Sequence, residues 1–338
     1  MEQRILGRSG LPVSRLCYGT LTLSAAQAGL SAANGGELLA YAYRQGVTFW
    51  DTAEIYDTYP HIRAALRLLS QPPVISTKTY AYDRTSAAAS LDKARRSLDL
   101  DVIDIFLLHE QETCLTMAGH QEAFAYLLEQ KELGRIRAVG LSTHAVEPVR
   151  ALADAAGSPA TAGRSSVWQE RELDPGPYRQ ADVVHPLLNL AGIGLLDGTA
   201  DDMVQACTEA HAAGIGVYGM KMLGGGHLLP RFDEAAAFAL GLACADAYAV
   251  GMQNQAEIDM NIALFTGQPV NPATLAATRA KRRRLAVGDW CTGCGACVAR
   301  CGEKALRLEN GHVVPDSSRC VFCGYCATVC RDFVIKVV

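Results

Sequence analysis

Thr48-Phe49-Trp50-Asp51-Thr52-Ala53-Glu54-Ile55-Tyr56 is the stretch on which the reading of the chain turns. Val47–Trp50 reads as a short buried strand that ends at an acid, and a tyrosine follows five positions later. A carboxylate and a phenol at the C-terminal mouth of a strand make a usable acid/base pair. A phenol keeps its proton near pKa ~10 unless a cation lies beside it. The rest of the chain is therefore searched for a cation and an imidazole at neighbouring strand ends. Val74-Ile75-Ser76-Thr77-Lys78 places a lysine at one, and Ile103-Asp104-Ile105-Phe106-Leu107-Leu108-His109 places a histidine at the next.

Outward from this core the pattern repeats. Eight short apolar runs read as strands: Leu16–Thr20, Val47–Trp50, Val74–Thr77, Ile103–Leu108, Ala138–Leu141, Val183–His185, Gly216–Met220 and Ala247–Val250. Between them lie helical patterns: Glu37–Arg44, Pro60–Leu69, Ser86–Leu98, Gln121–Leu133, Val146–Ala155, Asp201–Ala213, Asp233–Leu242 and Gln255–Phe265. So many βα units in one run predict an α/β protein built as a closed (β/α)8 TIM-type barrel. No Gly-x-Gly-x-x-Gly follows the first strand, which argues against a Rossmann domain. In a barrel of this kind chemistry collects at the C-terminal strand ends, where Asp51, Lys78 and His109 fall. The segment 157–180, with Pro159, Pro175 and Pro177, is long for a connection and has the length of a lid or mobile loop. Pocket walls are expected from it and from the loops 23–35 and 110–120.

The chain has 338 residues, 49% hydrophobic, and a net charge of −4, enough for one large domain and a small one, with no broad nucleic-acid surface. The run Lys281-Arg282-Arg283-Arg284 reads as a solvated linker, with weak value as a cation near an anionic cluster. No apolar run reaches the ~20 residues of a bilayer span. Met1-Glu2-Gln3-Arg4 does not open a signal peptide. A soluble cytoplasmic protein is expected, with residues 1–266 as the barrel, 267–288 as a linker and 289–338 as a second domain.

That second domain holds eight of the twelve cysteines. Cys291-x2-Cys294-x2-Cys297-x3-Cys301 is followed by Cys320-x2-Cys323-x2-Cys326-x3-Cys330, the spacing of bacterial two-cluster ferredoxins. The fourth cysteine of each run ligates the other cluster. One [4Fe-4S] cluster is thus assigned to Cys291, Cys294, Cys297 and Cys330, and the other to Cys320, Cys323, Cys326 and Cys301. Gly293, Gly295 and Gly324 leave the backbone free to bend around them. Zinc sites use pairs of cysteines rather than such runs. The proline usual after the fourth cysteine is replaced by Gly302 and Arg331. Cys17, Cys114, Cys207 and Cys244 have no ligand spacing and read as packing residues. The domain is expected to be ferredoxin-like, α+β.

Asp51-x4-Tyr56, Thr77-Lys78, Leu107-Leu108-His109 and Gly134-Arg135-Ile136-Arg137-Ala138-Val139-Gly140-Leu141-Ser142 occur in this order over residues 3–266, which resembles the aldo-keto reductases, and with the cysteine tail their iron–sulfur subset. A lone Asp, Lys or His at such places is more often a capping or surface residue; the ordered set is far more specific. The resemblance implies a carbonyl reductase or alcohol dehydrogenase using NAD(H) or NADP(H). A carbonyl that accepts hydride needs a proton, which Tyr56 would donate. Lys78 would lower the Tyr56 pKa, Asp51 would hold Lys78 charged, and His109 would orient the carbonyl oxygen. Nucleotide contacts are implied at Ser142, Asn189, Met220, Gly224, Gly251, Glu257 and Asn261. Thr143 and His185 stand where an Asn and a Gln are common, and Tyr218 competes with Met220 for the ring-stacking role. No Arg or Lys lies in Gly251–Asn261 to meet a 2′-phosphate, which leans the chain to NADH; Lys221 and Arg231 are the cations that could reverse this.

The expected partners are a small carbonyl or alcohol substrate and a redox protein, with no nucleic acid and no membrane. Two other classes stay open. One is an electron-transfer or regulatory subunit whose barrel binds without turnover. The other is a non-redox acid/base enzyme with structural clusters. Hydride carries two electrons and a cluster takes one, and no flavin motif is recognisable to join them. If the two centres do communicate, the cluster domain should pack on the C-terminal mouth of the barrel.

Overall fold

A computed structural model describes residues 1–338 except 26, 164, 281–283, 321–324, 333 and 338, and leaves the side chains of 279, 280 and 328 undescribed. Cys323, Gly324 and most of the basic run, Lys281 to Arg283, therefore lie outside the described residues.

Eight parallel strands close into a barrel. They are β3 (Leu16–Gly19), β4 (Phe49–Asp51), β5 (Val74–Thr79), β6 (Ile103–Leu108), β7 (Ile136–Thr143), β8 (Val183–Pro186), β9 (Gly216–Met220) and β10 (Ala247–Gly251). All eight expected strands are present. Closure comes from β10 pairing with β3, Tyr248 opposite Leu16. Alternation along a strand explains how the barrel fills on both sides. Phe106 and Leu108 point outward and pack with Leu91, Phe124 and Leu127 of the surrounding helices. Ile105 and Leu107 point inward, among Cys17, Phe49, Val183 and Tyr218. Each such side chain contributes roughly 1.5–3 kcal/mol by leaving water.

The helices start where their caps dictate. Asp83 and Ser86 exchange side-chain and backbone bonds at the head of Arg84–Leu98, which stops at Asp99 in the left-handed region (φ 62°). Thr199 and Asp202 do the same for Ala200–Ala212. The segment 157–180 is a buttress rather than a lid. Trp168 and Tyr178 bury their rings in it and donate to the carbonyls of Ala151 (2.7 Å) and Met117 (2.8 Å), so its walls are not those of the expected pocket.

A hairpin absent from the sequence reading comes first, β1 (Gln3–Ile5) paired antiparallel with β2 (Pro12–Ser14). Its Leu6, Leu11 and Val13 join the inward-facing core. Gly7, at φ +48°, lies so near the start of β9 that a Cβ would come within 2.1 Å of Gly216 N. The hairpin thus stoppers the N-terminal ends of the strands and leaves the opposite mouth for chemistry.

The chain after the barrel forms the helix Pro272–Ala280, the strand β11 (Leu285–Val287), the helix Ala296–Arg300, the hairpin β12 (Leu306–Glu309) and β13 (His312–Pro315), and β14 (Ile335–Val337). Strand β11 pairs antiparallel with β14, so the last residues of the expected linker belong to the cluster region's sheet. Its core is small and includes Cys297 and Cys326 beside Leu306, Val313 and Ile335. Strand β14 rests on the loop that follows β9. His227 Nε2 bonds the carbonyl of Ile335 (3.2 Å), and a Cβ at Gly226 (φ +93°) would lie 2.4 Å from Val337 O. The cluster region therefore docks at the C-terminal mouth. Among the described residues no helix is long and apolar enough to cross a membrane.

Candidate active site

Three successive strand ends deliver Asp51, Lys78 and His109 to one place. Asp51 closes β4, Lys78 is the penultimate residue of β5, and His109 follows β6. Lys78 Nζ lies 2.7 Å from Asp51 Oδ1, 2.7 Å from Asp51 Oδ2 and 2.7 Å from the carbonyl oxygen of Thr52. These acceptors match the three protons of an ammonium. Asp51 also accepts from the Tyr218 hydroxyl (3.0 Å), which is 2.8 Å from Ser76 Oγ. Both members of the ion pair are buried. Burial is the larger influence on the Asp51 carboxyl and raises its pKa, with Lys78 and Tyr218 pulling the other way.

Tyr56 sits in the short turn after β4, its ring centroid 5.2 Å from Lys78 Nζ and 5.8 Å from the His109 ring, edge to face. The expected acidification by Lys78 is not what governs it. Burial first, then Asp51, Glu110 and Tyr80, hold its hydroxyl well above the usual phenol value. Lys78 has directed its protons at Asp51 and Thr52, so it acts on Tyr56 through the ring face. His109 is stacked on Tyr80, centroids 4.6 Å apart, and is held well below 6.5 by burial, then by Lys78, His185 and Lys221. It is a neutral imidazole with one N–H to donate, and its buried Nδ1 has no hydrogen-bond partner among the described residues. The four residues expected from the sequence thus converge.

The sequence reading missed what surrounds them. Tyr218 lies inside the barrel, fully buried and bonded to Asp51, so it does not compete with Met220 for a ring-stacking role. The period-2 alternation of β9 carried that signal. His185 lies flat on Tyr218, centroids 3.9 Å apart, with Nδ1 2.6 Å from the Tyr218 carbonyl oxygen and Nε2 3.8 Å from Asp51 Oδ1. Burial, then Lys78, holds it well below 6.5.

The expected nucleotide contacts fare unevenly. Ser142 is fully buried, its Oγ accepting from the Glu110 N–H (3.0 Å). Asn189 spends its amide on its own loop, accepting from the N–H groups of Ala191 (3.2 Å) and Ile193 (3.0 Å) and donating to Ile193 O (3.0 Å). Both serve the scaffold here. Met220 ends β9, and Gly224, at φ +54°, opens the turn Gly224–Gly226 beneath β14. Gly251 ends β10 under Thr22. Glu257 is engaged at the start of the helix Gln255–Thr266, accepting from Gln253 N–H (2.8 Å) and Asn254 Nδ2 (3.2 Å), and Asp259 accepts from the Tyr41 hydroxyl (2.7 Å). Asn261 is buried rather than solvent-facing. Its Nδ2 donates to Glu257 O (2.8 Å), while Oδ1 is buried with no hydrogen-bond partner among the described residues. An orphaned buried acceptor of this kind fits an N–H of a bound nucleotide.

A cation does reach this end of the mouth, from outside the stretch where one was sought. Arg284 Nη2 donates to the carbonyl of Gln27 (2.7 Å), whose side-chain oxygen is 3.5 Å from Gln253 Nε2.

In the cluster region, Cys297 is buried, and Cys291 and Cys330 pack against the same small core. Three of the four cysteines assigned to the first cluster are thus neighbours, including the one from the distant run. Cys301 Sγ accepts from the Ala305 N–H (3.3 Å), a bond that favours a thiolate. Gly293 and Gly295 adopt φ +66° and +77°, turning the chain around the cysteines as expected. Among the described residues no three His, Cys, Asp or Glu side chains converge tightly enough to hold a single ion. A cubane is wider than an ion and takes its thiolates on four separate irons, so neighbouring but spread cysteines suit it.

Comparison with known proteins agrees with this geometry. A match to the Aldo/keto reductase family covers residues 15–239, and a match to a 4Fe-4S dicluster domain covers residues 285–331. The chain belongs to the aldo-keto reductase family, an oxidoreductase family, and carries a ferredoxin-like 4Fe-4S region after the barrel. Among curated proteins, a probable aldo-keto reductase of Glycine max is 26% identical over 172 residues, 44% of this chain and 49% of that protein. An NADPH-dependent alpha-keto amide reductase of Saccharomyces cerevisiae is 30% identical over 124 residues, 34% of this chain and 40% of that protein. The chain thus spans about half, or less, of the length of these relatives. A solved aldo-keto reductase of Bacillus halodurans, in its holo form, shares the fold at TM-score 0.59 and 16% identity, covering 82% of this chain and 95% of that one.

Proposed function

We propose that this protein reduces a small carbonyl compound, or oxidises the corresponding alcohol, with a nicotinamide nucleotide bound at the mouth of the barrel. The observation that carries the reading is the convergence of Asp51, Tyr56, Lys78 and His109 from three successive strand ends. A bound nicotinamide would supply the hydride. The chain supplies the proton and the orientation. Tyr56, with its pKa pushed up, is a protonated phenol at any physiological pH and has a proton to give. The charge left on the phenol after that transfer is supported by the Lys78 ammonium under its ring. Neutral His109 donates from one nitrogen to the substrate oxygen. Asp51, Tyr218 and Ser76 fix Lys78 and contribute position rather than proton transfer. Met220, Gly224, Gly251 and Asn261 remain the proposed nucleotide contacts, with Asn261 Oδ1 accepting from the adenine end.

Cys291, Cys294, Cys297 and Cys330 would hold one [4Fe-4S] cluster, and Cys320, Cys323, Cys326 and Cys301 the other. These clusters would supply one-electron exchange with a redox protein partner. The sequence-based preference for NADH is weakened by Arg284, which bonds Gln27 beside Gln253, close to where the adenosine end is proposed.

The test is turnover by anaerobically purified protein on a panel of aldehydes and ketones, with NADH and NADPH, for wild type and Tyr56→Phe. Wild-type turnover that falls ~10²–10⁴-fold in the variant, with nucleotide binding retained, is expected. Nucleotide binding without turnover of any carbonyl would instead assign the barrel to the electron-transfer or regulatory class.

A further inference from the structure

The cluster region touches the barrel on both sides of one strand. In the closed ring, β10 stands between β9 and β3. On the β9 side, Val337 of β14 lies against Gly226, where a Cβ would come within 2.4 Å of the Val337 carbonyl oxygen, and His227 Nε2 bonds Ile335 O (3.2 Å). On the β3 side, Arg284 Nη2 donates to the carbonyl of Gln27 (2.7 Å). Both anchors belong to one ribbon. Leu285, next to Arg284 in the chain, is paired with Val337 across β11 and β14. Adjacent strands stand about 4.8 Å apart, so roughly 10 Å separates β9 from β3. A two-stranded ribbon with one arginine side chain beyond it spans such a gap. The end of the ribbon therefore crosses the C-terminal end of β10.

Beside that crossing lies the far end of the proposed nucleotide track. Gly251 closes β10 without a side chain, and a Cβ there would meet Thr22 Cγ2 at 2.1 Å. Two residues on, Gln253 Nε2 is 3.5 Å from Gln27 Oε1, on the same residue that Arg284 holds. The helix Gln255–Thr266 starts from Asn254, and Asn261 leans back along it, with Nδ2 on Glu257 O (2.8 Å). Asn261 Oδ1 is buried with no hydrogen-bond partner among the described residues. A buried acceptor in that state is costly until a donor arrives. The ribbon brings the complementary chemistry. Leu285 and Val337 are buried apolar residues, and Arg284 beside them is exposed and cationic. An arginine suits phosphate oxygens, and the open acceptor suits an N–H of a flat polar ring. The adenosine diphosphate half of a dinucleotide carries both.

We propose that the β11–β14 ribbon, with Arg284, is the outer wall of the nucleotide site, so that the adenosine diphosphate end is held between the barrel and the cluster region. This rests on the reading of the barrel as a nucleotide-dependent carbonyl reductase and adds the second region to its binding site. The nucleotide then leaves only when the ribbon lifts from Gly226 or from Gln27. By linkage, what the seated ribbon adds to nucleotide affinity, the nucleotide adds to the seating of the ribbon. The ribbon is flanked by cysteines of the first proposed cluster, Cys291 four residues after Val287 and Cys330 five before Ile335. A bound nucleotide therefore also steadies the segments that carry them.

Amide hydrogen exchange and stopped-flow nucleotide release, on the iron-loaded full chain kept anaerobic, test this without turnover. The probes are NAD+ and NADP+, which have no hydride to give, applied to wild type, Gly226→Ala, Val337→Ala and Arg284→Ala. In wild type, saturating nucleotide is expected to slow exchange at residues 285–287 and 335–337 about tenfold, because opening of the ribbon is then opposed by the ligand. Gly226→Ala and Val337→Ala disturb the seat from its two sides, and each is expected to speed nucleotide release about tenfold. The second alters the cluster region alone. Arg284→Ala is expected to speed release about two- to fivefold, chiefly for NADP+. If a nucleotide binds wild type yet leaves ribbon exchange unchanged, and both seat variants with full iron content release it as wild type does, the wall is refuted and the nucleotide reading stands. If wild type binds neither nucleotide, both fall. Ribbon protection by nucleotide in a protein without carbonyl turnover would keep the wall and refute the proposed activity.

Discussion

The barrel mouth and the cluster region organise their reactive groups in opposite ways. In the mouth, the partners of one carboxylate come from far along the chain. Asp51 is held by Lys78, 27 positions on, and by Tyr218, 167 positions on. A finished hydrophobic barrel brings them together, and the charged groups ride on it. In the cluster region the ligands sit three or four residues apart, and the apolar core is so thin that two of its buried members, Cys297 and Cys326, are themselves proposed ligands. There the metal is expected to make the fold, whereas in the barrel the fold makes the site.

Removing the iron should separate the two most sharply. Segments this small seldom fold on an apolar core alone, and metal binding then supplies the folding energy. The protein as purified anaerobically is expected to be brown, with about eight irons per chain for two [4Fe-4S] clusters. After chelation, proteolysis should cut between residues 289 and 338 while the barrel survives. Equal resistance of both parts, or zinc in place of iron, would remove the contrast.

The second effect lies inside the barrel. Lys78→Met leaves Asp51 buried without its counter-charge, and loss of one partner of such a pair costs about 3–5 kcal/mol. The buried Trp50 and Trp168 report the barrel transition in denaturant. Asp51→Asn combined with Lys78→Met should recover part of the loss, a coupling that a double-mutant cycle measures. Additive losses would mean that the pair does not act as one unit.

Acid should then weaken the barrel before it weakens the iron-loaded region. His109, His144 and His185 are each held well below 6.5, by burial first. Below pH 6.5 the unfolded chain binds protons that the folded barrel refuses, so stability is full above that pH and falls as pH drops further. Each imidazole contributes a slope of up to about 1.4 kcal/mol per pH unit in that window. The barrel's thermal midpoint, followed from pH 7.5 to 5.5, should decline; a level profile would contradict the burial of these rings.

The smallest effect concerns a cation that crosses from one region to the other. Arg284→Ala is expected to weaken NADPH about two- to fivefold, since exposed charges are worth little, and to leave NADH nearly unchanged. Equal changes for both nucleotides would place Arg284 away from the 2′-phosphate.

These contrasts also explain what could be read in advance. The 4Fe-4S region was legible because local cysteine spacing alone points to it. Asp51, Lys78 and His109 were legible because each ends an apolar run, and a parallel barrel gathers such ends. The stopper hairpin was not, since Leu6, Leu11 and Val13 form too short a pattern to distinguish from a loop. Arg284 was beyond reach for a stronger reason. Its neighbour, Gln27, is defined by how one region seats on another, and no local pattern encodes that. Asn189 and Ser142 were assigned by analogy; Asn189 is engaged by its own loop and Ser142 by the N–H of Glu110 after the neighbouring strand.

The seam between β3 and β10 has a kinetic consequence. It joins Leu16 to Tyr248, so nearly the whole barrel sequence must be present before the ring can close. Until then the growing sheet has two unpaired edges, each a template for a neighbouring chain. Folding that waits on so distant a contact is slow, and the open sheet is the species most exposed to aggregation. A fragment that stops short of β10 should therefore clump rather than fold partially, and holdase chaperones should capture nascent chains of about that length.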